Sequence, residues 1–336
     1  MIWGEFVLKL IVRRLLEMVV VLMVLTAVVF LLRQLQPADA ARVALGGRAS
    51  TGALQEYRKE LGLNEPLVVQ YFTYLHKVVT GDFQVSVRTQ RPVADDLAEA
   101  LPATMELAAV ALLAALIGGS ILGVVGAARW RGSAVIRGAM IFGASIPVFL
   151  FAYGCILLFS RRLGWLPGSG RTSFRDFDGP TGFLTIDSLL AGRLDVFTDA
   201  IGHLILPAIT IALLSAVSIG RVLRSSLHTT LRSPYARTAR AKGLPERTVI
   251  LRHGLRNASG PAISMAGLQL GLMFAGIVIV ETIFAWPGIG WYMAQSIPTN
   301  DFAAIGAVTL ILGALYVVVN ALVDILQMVA DPRIRR

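Results

Sequence analysis

The sequence predicts an all-α integral membrane protein of six transmembrane helices. Three observations carry this expectation. Of 336 residues, 55% are hydrophobic and 15% charged, with a mean hydropathy of +0.69, outside the range of soluble domains. The apolar residues gather in six runs close to the ~20 residues a helix needs to cross ~30 Å of hydrocarbon. The basic residues stand in short segments beside those runs.

The runs are Leu15 to Leu32, Leu107 to Ala127, Gly138 to Phe159, Leu204 to Ile219, Ile263 to Phe284 and Ala303 to Val329. Lys9, Arg13 and Arg14 precede the first, as in a signal peptide. It is too long for an h-region and lacks a following small-residue cleavage site, so it is expected to be a retained anchor. With both termini cytoplasmic, segments 1 to 14, 128 to 137, 220 to 262 and 330 to 336 hold 18 Lys and Arg against Glu5, Glu246 and Asp331. The outside segments hold 13 basic and 15 acidic residues. This asymmetry fixes the expected orientation. The formal charge of +10 therefore belongs to a membrane surface, and no aromatic-interleaved basic surface or zinc spacing points to nucleic acid.

Three regions follow: an N-terminus and first span at 1 to 32, an extracytoplasmic segment at 33 to 106, and a five-helix core at 107 to 336. The segment 33 to 106 is polar, punctuated by Pro37, Gly46, Gly47, Gly62, Pro66, Gly81 and Pro92, and reads as a small domain. Within it Ala53 to Leu61 and Leu67 to Val79 have helical patterning after turn signals. A second outside stretch, Gly164 to Ile201, is rich in Gly, Asp and aromatics and carries no pattern that assigns its structure. Gly119 and Gly123, and Gly267 and Gly271, have the small-xxx-small spacing of close helix approach, within the bundle or against a second subunit.

The most informative stretch lies in the cytoplasmic loop 220 to 262. Ser233 suits an N-cap, Pro234 the first helical position and Gly243 the left-handed residue after a helix, so 234 to 242 should form a short helix about 14 Å long. Pro245 and Glu246 then open a second helix running toward His253. In the first helix Ala236, Ala239 and Gly243 fall at i, i+3 and i+7, a nearly side-chain-free stripe that another surface could approach. Arg237, Arg240 and Lys242 lie around the rest, able to meet acidic groups or lipid phosphates.

The string Tyr235, Ala236, Arg237, Thr238, Ala239, Arg240, Ala241, Lys242, Gly243, Leu244 resembles the cytoplasmic coupling motif, E-A-A-x-x-x-G, of binding-protein-dependent ABC transporter permeases. Arg237 stands where the generic motif has Glu. The fuller string YARTARAKGL, with LRHGLRNA and Pro261 after it, is similar to the dipeptide/oligopeptide branch. The resemblance runs along the chain through LGLNEPLVVQYFTYL, GDFQVSV, RPVADDLAEALPATMELA, SIPVF, LGWLPGSGR, VETIFAWPGIGWYM and NALVDILQMVADPRIR. Pro37-Ala38-Asp39-Ala40 replaces the branch's usual Pro-Gly-Asp-Pro turn.

This resemblance implies a type I ABC importer permease in a bacterial plasma membrane. It implies a homologous second permease subunit, two cytoplasmic ATPase subunits that use ATP and Mg, and an extracytoplasmic substrate-binding protein. The chain itself would bind no cofactor, and its cargo would be di- or oligopeptides, with nickel chelates, glutathione or another small solute as alternatives within the branch.

Other polar residues remain open. Glu281, near the outer end of the fifth run, either caps the turn Trp286 to Gly290 or meets a substrate amino group at the outer mouth. Gln269 either lines the pathway or bonds between helices, and Asn320 shares a face of the sixth run with Asp324. Trp286, Pro287, Gly288 and Trp291 are candidates for contact with the binding protein. The four histidines, His76, His203, His228 and His253, have no metal-ligand spacing, and Cys155 is alone in an apolar run. There is no HExxH, no GxSxG and no Gly-Lys dipeptide for a P-loop, which argues against a hydrolase or an ATPase. An ATP-independent channel or secondary transporter is the competing class.

Overall fold

The computed structural model describes residues 2–34, 50–60, 64–127, 132–174 and 176–330. The turn Pro37 to Ala40, the side chain of Asp324 and the segment 331–336 lie outside them. The described residues form helices, with no strand and one isolated antiparallel bridge, Val85 to Pro92. In order these helices are α1 (Ile2–Gln34), α2 (Thr51–Glu60), α3 (Leu67–Val79), α4 (Val93–Ala127), α5 (Ser133–Ser145) and α6 (Val148–Arg162). There follow α7 (Leu184–Leu190), α8 (Leu194–Thr230), α9 (Pro234–Ala241), α10 (Glu246–Ile283), α11 (Ile289–Ser296) and α12 (Phe302–Ala330). Five are long and apolar enough to cross a membrane: Leu15–Gln34 of α1, all of α4, α8 and α10, and Phe302–Val323 of α12. Val-rich runs such as VVVLMVLTAVVF, inclined to strand in water, are helical because hydrocarbon offers the backbone no other partner.

The third expected span is broken. Two pieces, Ala134–Gly143 and Val148–Arg162, meet at 109°. Pro147 has no amide to continue a helix and drives Ile146 into an extended conformation, φ −84 and ψ 124. The helix that holds the second expected span begins before it. α4 starts at Val93, directly after Pro92, and passes through Pro102 without interruption. The helix expected over Leu67 to Val79 has those bounds.

The chain packs as two units. The smaller comprises residues 1–100 with 292–318. In it α3 lies against α1: Tyr71 shares a hydrogen bond with Thr26 at 3.0 Å and donates to the Met23 carbonyl at 3.3 Å. Phe30 packs edge-on to Tyr71 at 5.5 Å. A Cβ on Gly306 would stand 3.0 Å from the Val29 side chain, and one on Gly313 2.2 Å from that of Leu25, so these glycines let α12 lie close to α1. The buried carboxylate of Asp301 accepts from Ser86 Oγ and from the Arg88 and Ala304 amides, capping α12. Asp96 accepts from Thr89 and Tyr292, whose phenol burial pushes up, so that it stays a donor.

The larger unit comprises residues 101–291 with 319–336, built around α8 and α10. Its core is made of small and branched residues, Ala115, Ala212, Ile219 and Ala266 in one cluster and Leu223, Leu227, Ala258 and Ala262 in another. A Cβ on Gly119 or Gly123 would meet Ile219 at 2.9 Å or Leu223 at 2.8 Å. That glycine pair therefore serves packing within this chain.

Candidate functional site

Short helix α9 is the segment whose pattern pointed to coupling, and the structure turns it over. Ala236 and Ala239 are buried, 1% and 7% exposed, against Val249, with Leu231 and Leu244 closing a small apolar core. The expected bare stripe faces the chain's own next helix. Alanine has no polar group to hold at a surface, and an apolar methyl gains more from this contact than from water.

The ends of α9 follow from local chemistry. Ser233 takes the N-cap position with Pro234 at N1, but its hydroxyl donates back to the Thr230 carbonyl at 2.6 Å instead of capping α9. At the other end Leu244 N–H reaches the Ala239 carbonyl at 3.3 Å and Gly243 N–H the Arg240 carbonyl at 2.9 Å, with Gly243 at φ +75. A Cβ there would meet nothing within 4 Å, so glycine serves the backbone angle and not a close approach.

Arg240 ties α9 down. Its Nε and Nη2 donate to both oxygens of Glu246 at 2.8 and 2.7 Å, and Nη1 donates to the Leu231 carbonyl at 2.8 Å. The hydrogen bonds with Glu246 push the Arg240 guanidinium above its ordinary value. Beside this clamp α10 contains a wider turn over Val249–Gly254. Here Gly254 comes so close to α8 that a Cβ would lie 3.1 Å from Leu231 and 3.3 Å from Leu227.

The face left outward is polar and cationic: Tyr235 is 44% exposed, and Arg237, Thr238, Ala241, Lys242 and Gly243 are exposed as well. Among the described residues Arg237 and Lys242 form no ion pair. The unit is thus a rigid knob with an apolar inside and a positive outside, mounted on the start of a helix 38 residues long.

At the far end of α10 Glu281 is fully buried. Its Oε1 accepts from Thr104 Oγ1 at 2.7 Å and its Oε2 from the Gly290 and Trp291 amides at 2.8 and 3.0 Å. The carboxylate therefore sits on the open amides that begin α11, where the helix dipole favours an anion. Of the two readings left open for Glu281, this geometry supports capping.

Trp286 is fully buried and donates its indole N–H to the Ala103 carbonyl at 3.0 Å. Gly288 is buried, and a Cβ there would lie 2.1 Å from Glu281 Oε1. Neither can meet another protein; of the four residues expected there, Pro287 is exposed and Trp291 half-buried. Gln269 is 5% exposed and donates to the Leu214 carbonyl at 3.5 Å, an α8 to α10 contact of the kind its interhelical reading expects. Asn320 is half-buried on α12. Gln269, Glu281 and Asn320 are not one site, since twelve residues of helix, about 18 Å, separate the first two.

The sequence reading missed a second buried cluster. Glu106 on α4 accepts from Arg171 Nε and Nη2 at 3.1 and 2.5 Å, and from Thr185 N–H at 2.8 Å and its hydroxyl. Arg171 also lies 6.0 Å from the Trp286 ring. This cluster pins the segment Gly164 to Ile201, where α7 lies. The signal was Arg171 in LGWLPGSGR, whose partner stands 65 residues away.

Comparison with known proteins matches residues 100–336 to the family described as binding-protein-dependent transport system inner membrane component. Residues 7–108 match the corresponding N-terminal component. The chain is similar to a probable D,D-dipeptide transport system permease protein of Escherichia coli (strain K12), 42% identical over 316 residues, 92% of each chain. It is similar to a dipeptide transport system permease protein of Alkalihalophilus pseudofirmus, 38% identical over 96% of this chain and 98% of that one. A glutathione transport system permease protein of Shigella flexneri is 34% identical over 97% and 98%.

Proposed function

The chain belongs to the family of binding-protein-dependent transport system inner membrane components, the permease subunits of ABC importers, and from that premise we propose that it forms half of a peptide pathway driven through α9. It is a multi-span membrane protein, and its family is one of transport subunits, not enzymes. In this reading a homologous permease supplies the other half, two cytoplasmic ATPase subunits hydrolyse ATP with Mg, and an extracytoplasmic binding protein delivers the cargo. The loop 220 to 262 and both termini face the cytoplasm of a bacterium. Pro287 and Trp291 remain available to the binding protein. The names of the two dipeptide relatives favour a di- or oligopeptide substrate.

One observation carries the mechanism: α9 is packed onto α10, and α10 continues unbroken from Glu246 to Ile283. At 1.5 Å per residue that is about 57 Å, more than the ~30 Å of hydrocarbon. An ATPase pair that closes against Tyr235, Arg237 and Lys242 pushes a knob that cannot slide on its own helix. The displacement reaches Glu281 and α11 as a rigid-body movement, and alternating access follows.

Gly243 provides the test in reconstituted complexes. Gly243→Asn, which tolerates a left-handed angle, should keep most ATP-dependent dipeptide uptake, whereas Gly243→Val should lose it while ATP hydrolysis continues. Full uptake by Gly243→Val, or uptake by this chain without any ATPase subunit, overturns the reading. A dipeptide that fails where glutathione is taken up would replace the cargo and leave the mechanism.

A further inference from the structure

In the larger unit three stretches meet past the far end of α10, and each is bonded to the other two. α4 is tied to α10 and its following turn by the Trp286 indole, which donates to the Ala103 carbonyl at 3.0 Å, and by Thr104, which donates to Glu281. The segment Gly164 to Ile201 is tied to the end of α10 by the Gly170 N–H, which donates to the Phe284 carbonyl at 2.8 Å. The same segment is tied to α4 by Arg171 and Thr185, both donors to Glu106. A frame of three members with every side made is rigid, and it folds at its corners when a side is lost.

Arg171 takes part in two of the three sides. Its Nε and Nη2 donate to one oxygen of Glu106, Nη2 donates to the Gly182 carbonyl at 2.8 Å, and the guanidinium lies 6.0 Å from the Trp286 ring. The side chains of Arg171 and Glu106 are 15% and 5% exposed, so little water competes for these bonds. Gly182, at φ +72, lets the segment lie directly on α4, since a Cβ there would stand 3.0 Å from Pro102. A buried ion pair adds little net stability over an apolar contact of the same size. What the planar fork of an arginine supplies is geometry. The segment also has an anchor on α8, where Asp199 accepts from Thr172 and Ser173. Loss of Arg171 therefore leaves the segment attached to α8 while the stretch leading to Gly182 loses its hold on α4 and Trp286.

We propose that Arg171 is a positioning residue for transport: it makes the segment Gly164 to Ile201 one body with α4 and the far end of α10. Movement driven at α9 then appears at the outer surface, and load on that surface is felt at α9, since such coupling is reciprocal. The inference rests on the reading of α9 as the driven element. A purely structural role for Arg171 would lower stability and leave coupling intact; a positioning role lowers coupling in a complex that is still assembled.

The experiment uses the complex with its ATPase subunits in nanodiscs, carrying Cys155→Ala and spin labels at Asp178→Cys and Ile279→Cys, two exposed positions. Without nucleotide the distance distribution should be narrow, and Arg171→Met should widen it about twofold. Arg171→Lys, which keeps the charge without the fork, should fall between. Arg193→Ala, which removes an exposed ion pair with Asp195 in the same segment, should leave the width unchanged. In unlabelled complexes Arg171→Met should cut uptake per ATP hydrolysed about tenfold at an unchanged rate of hydrolysis, and Arg171→Lys should restore part of it. A width unchanged in Arg171→Met overturns the brace, and a widened distribution with full uptake per ATP overturns the positioning role. If Arg171→Met does not assemble, Glu106→Gln, which weakens the same bonds, is read by the same two outcomes. The width is measured without nucleotide, so it decides the brace even where uptake proves independent of ATP.

Discussion

The guanidinium of Arg240 grips both carboxylate oxygens of Glu246, at 2.8 and 2.7 Å, and so fastens α9 to the first turn of α10. Both side chains are partly exposed, 38% and 55%, and solvent screens them. A double-mutant cycle with Arg240→Ala and Glu246→Ala should accordingly return a coupling of under about 1 kcal/mol in thermal unfolding. Under the proposed mechanism, in which the clamp transmits movement, uptake per ATP hydrolysed should fall by a larger factor. An unfolding coupling above about 3 kcal/mol would mark the pair as a buried structural bridge instead.

Ala239 is buried against Val249, 7% exposed. Ala239→Leu should overpack the small core, costing about 1–3 kcal/mol locally, and tilt α9 off α10. Arg237→Ala on the outer face should leave thermal stability within about 0.5 kcal/mol while weakening co-purification of the ATPase subunits. Measuring unfolding and co-purification on both variants separates the inner face from the outer.

Glu281 satisfies three donors at once, Thr104 Oγ1 and the Gly290 and Trp291 amides. Glu281→Ala leaves these three donors without that acceptor, the Thr104 hydroxyl and the Gly290 amide in buried surroundings, and should cost about 3 kcal/mol or more. Glu281→Gln keeps the shape and loses charge assistance, so it should cost less than half of that in the same detergent melt. Equal losses for the two variants would show that the capping bonds contribute little.

Ala285 occupies a left-handed turn at φ +46, where Trp286 N–H returns to the Glu281 carbonyl at 2.9 Å. This is the helix-ending motif that Gly243 also completes, with a methyl group in the way. Ala285→Gly should raise stability by about 1 kcal/mol, read as a higher melting temperature with uptake unchanged. A lower melting temperature would show that unfolded-chain entropy outweighs the relieved strain.

Legibility in the sequence followed the range of the interactions involved. The spans, the helix Leu67–Val79 and the left-handed Gly243 are set by neighbours within a few residues, and their signals lie in the same short strings. Pro147 signalled the break in the third span, but a run of apolar residues masked it because hydropathy has no direction. The stripe of Ala236 and Ala239 was legible as a stripe and not as to which way it turned, since that depends on Val249 beyond the Gly243 turn. Glu281 with Thr104, and Glu106 with Arg171, join residues 177 and 65 positions apart, which no local pattern records.

The burial of Ala236 and Ala239 divides eight residues between two masters. Whatever keeps the knob in shape is written on its hidden side, and whatever greets a neighbour is written on the other. If the proposed docking holds, Tyr235 and Arg237, with Lys242 just past the helix, can be exchanged to suit a different motor while the hidden side still folds.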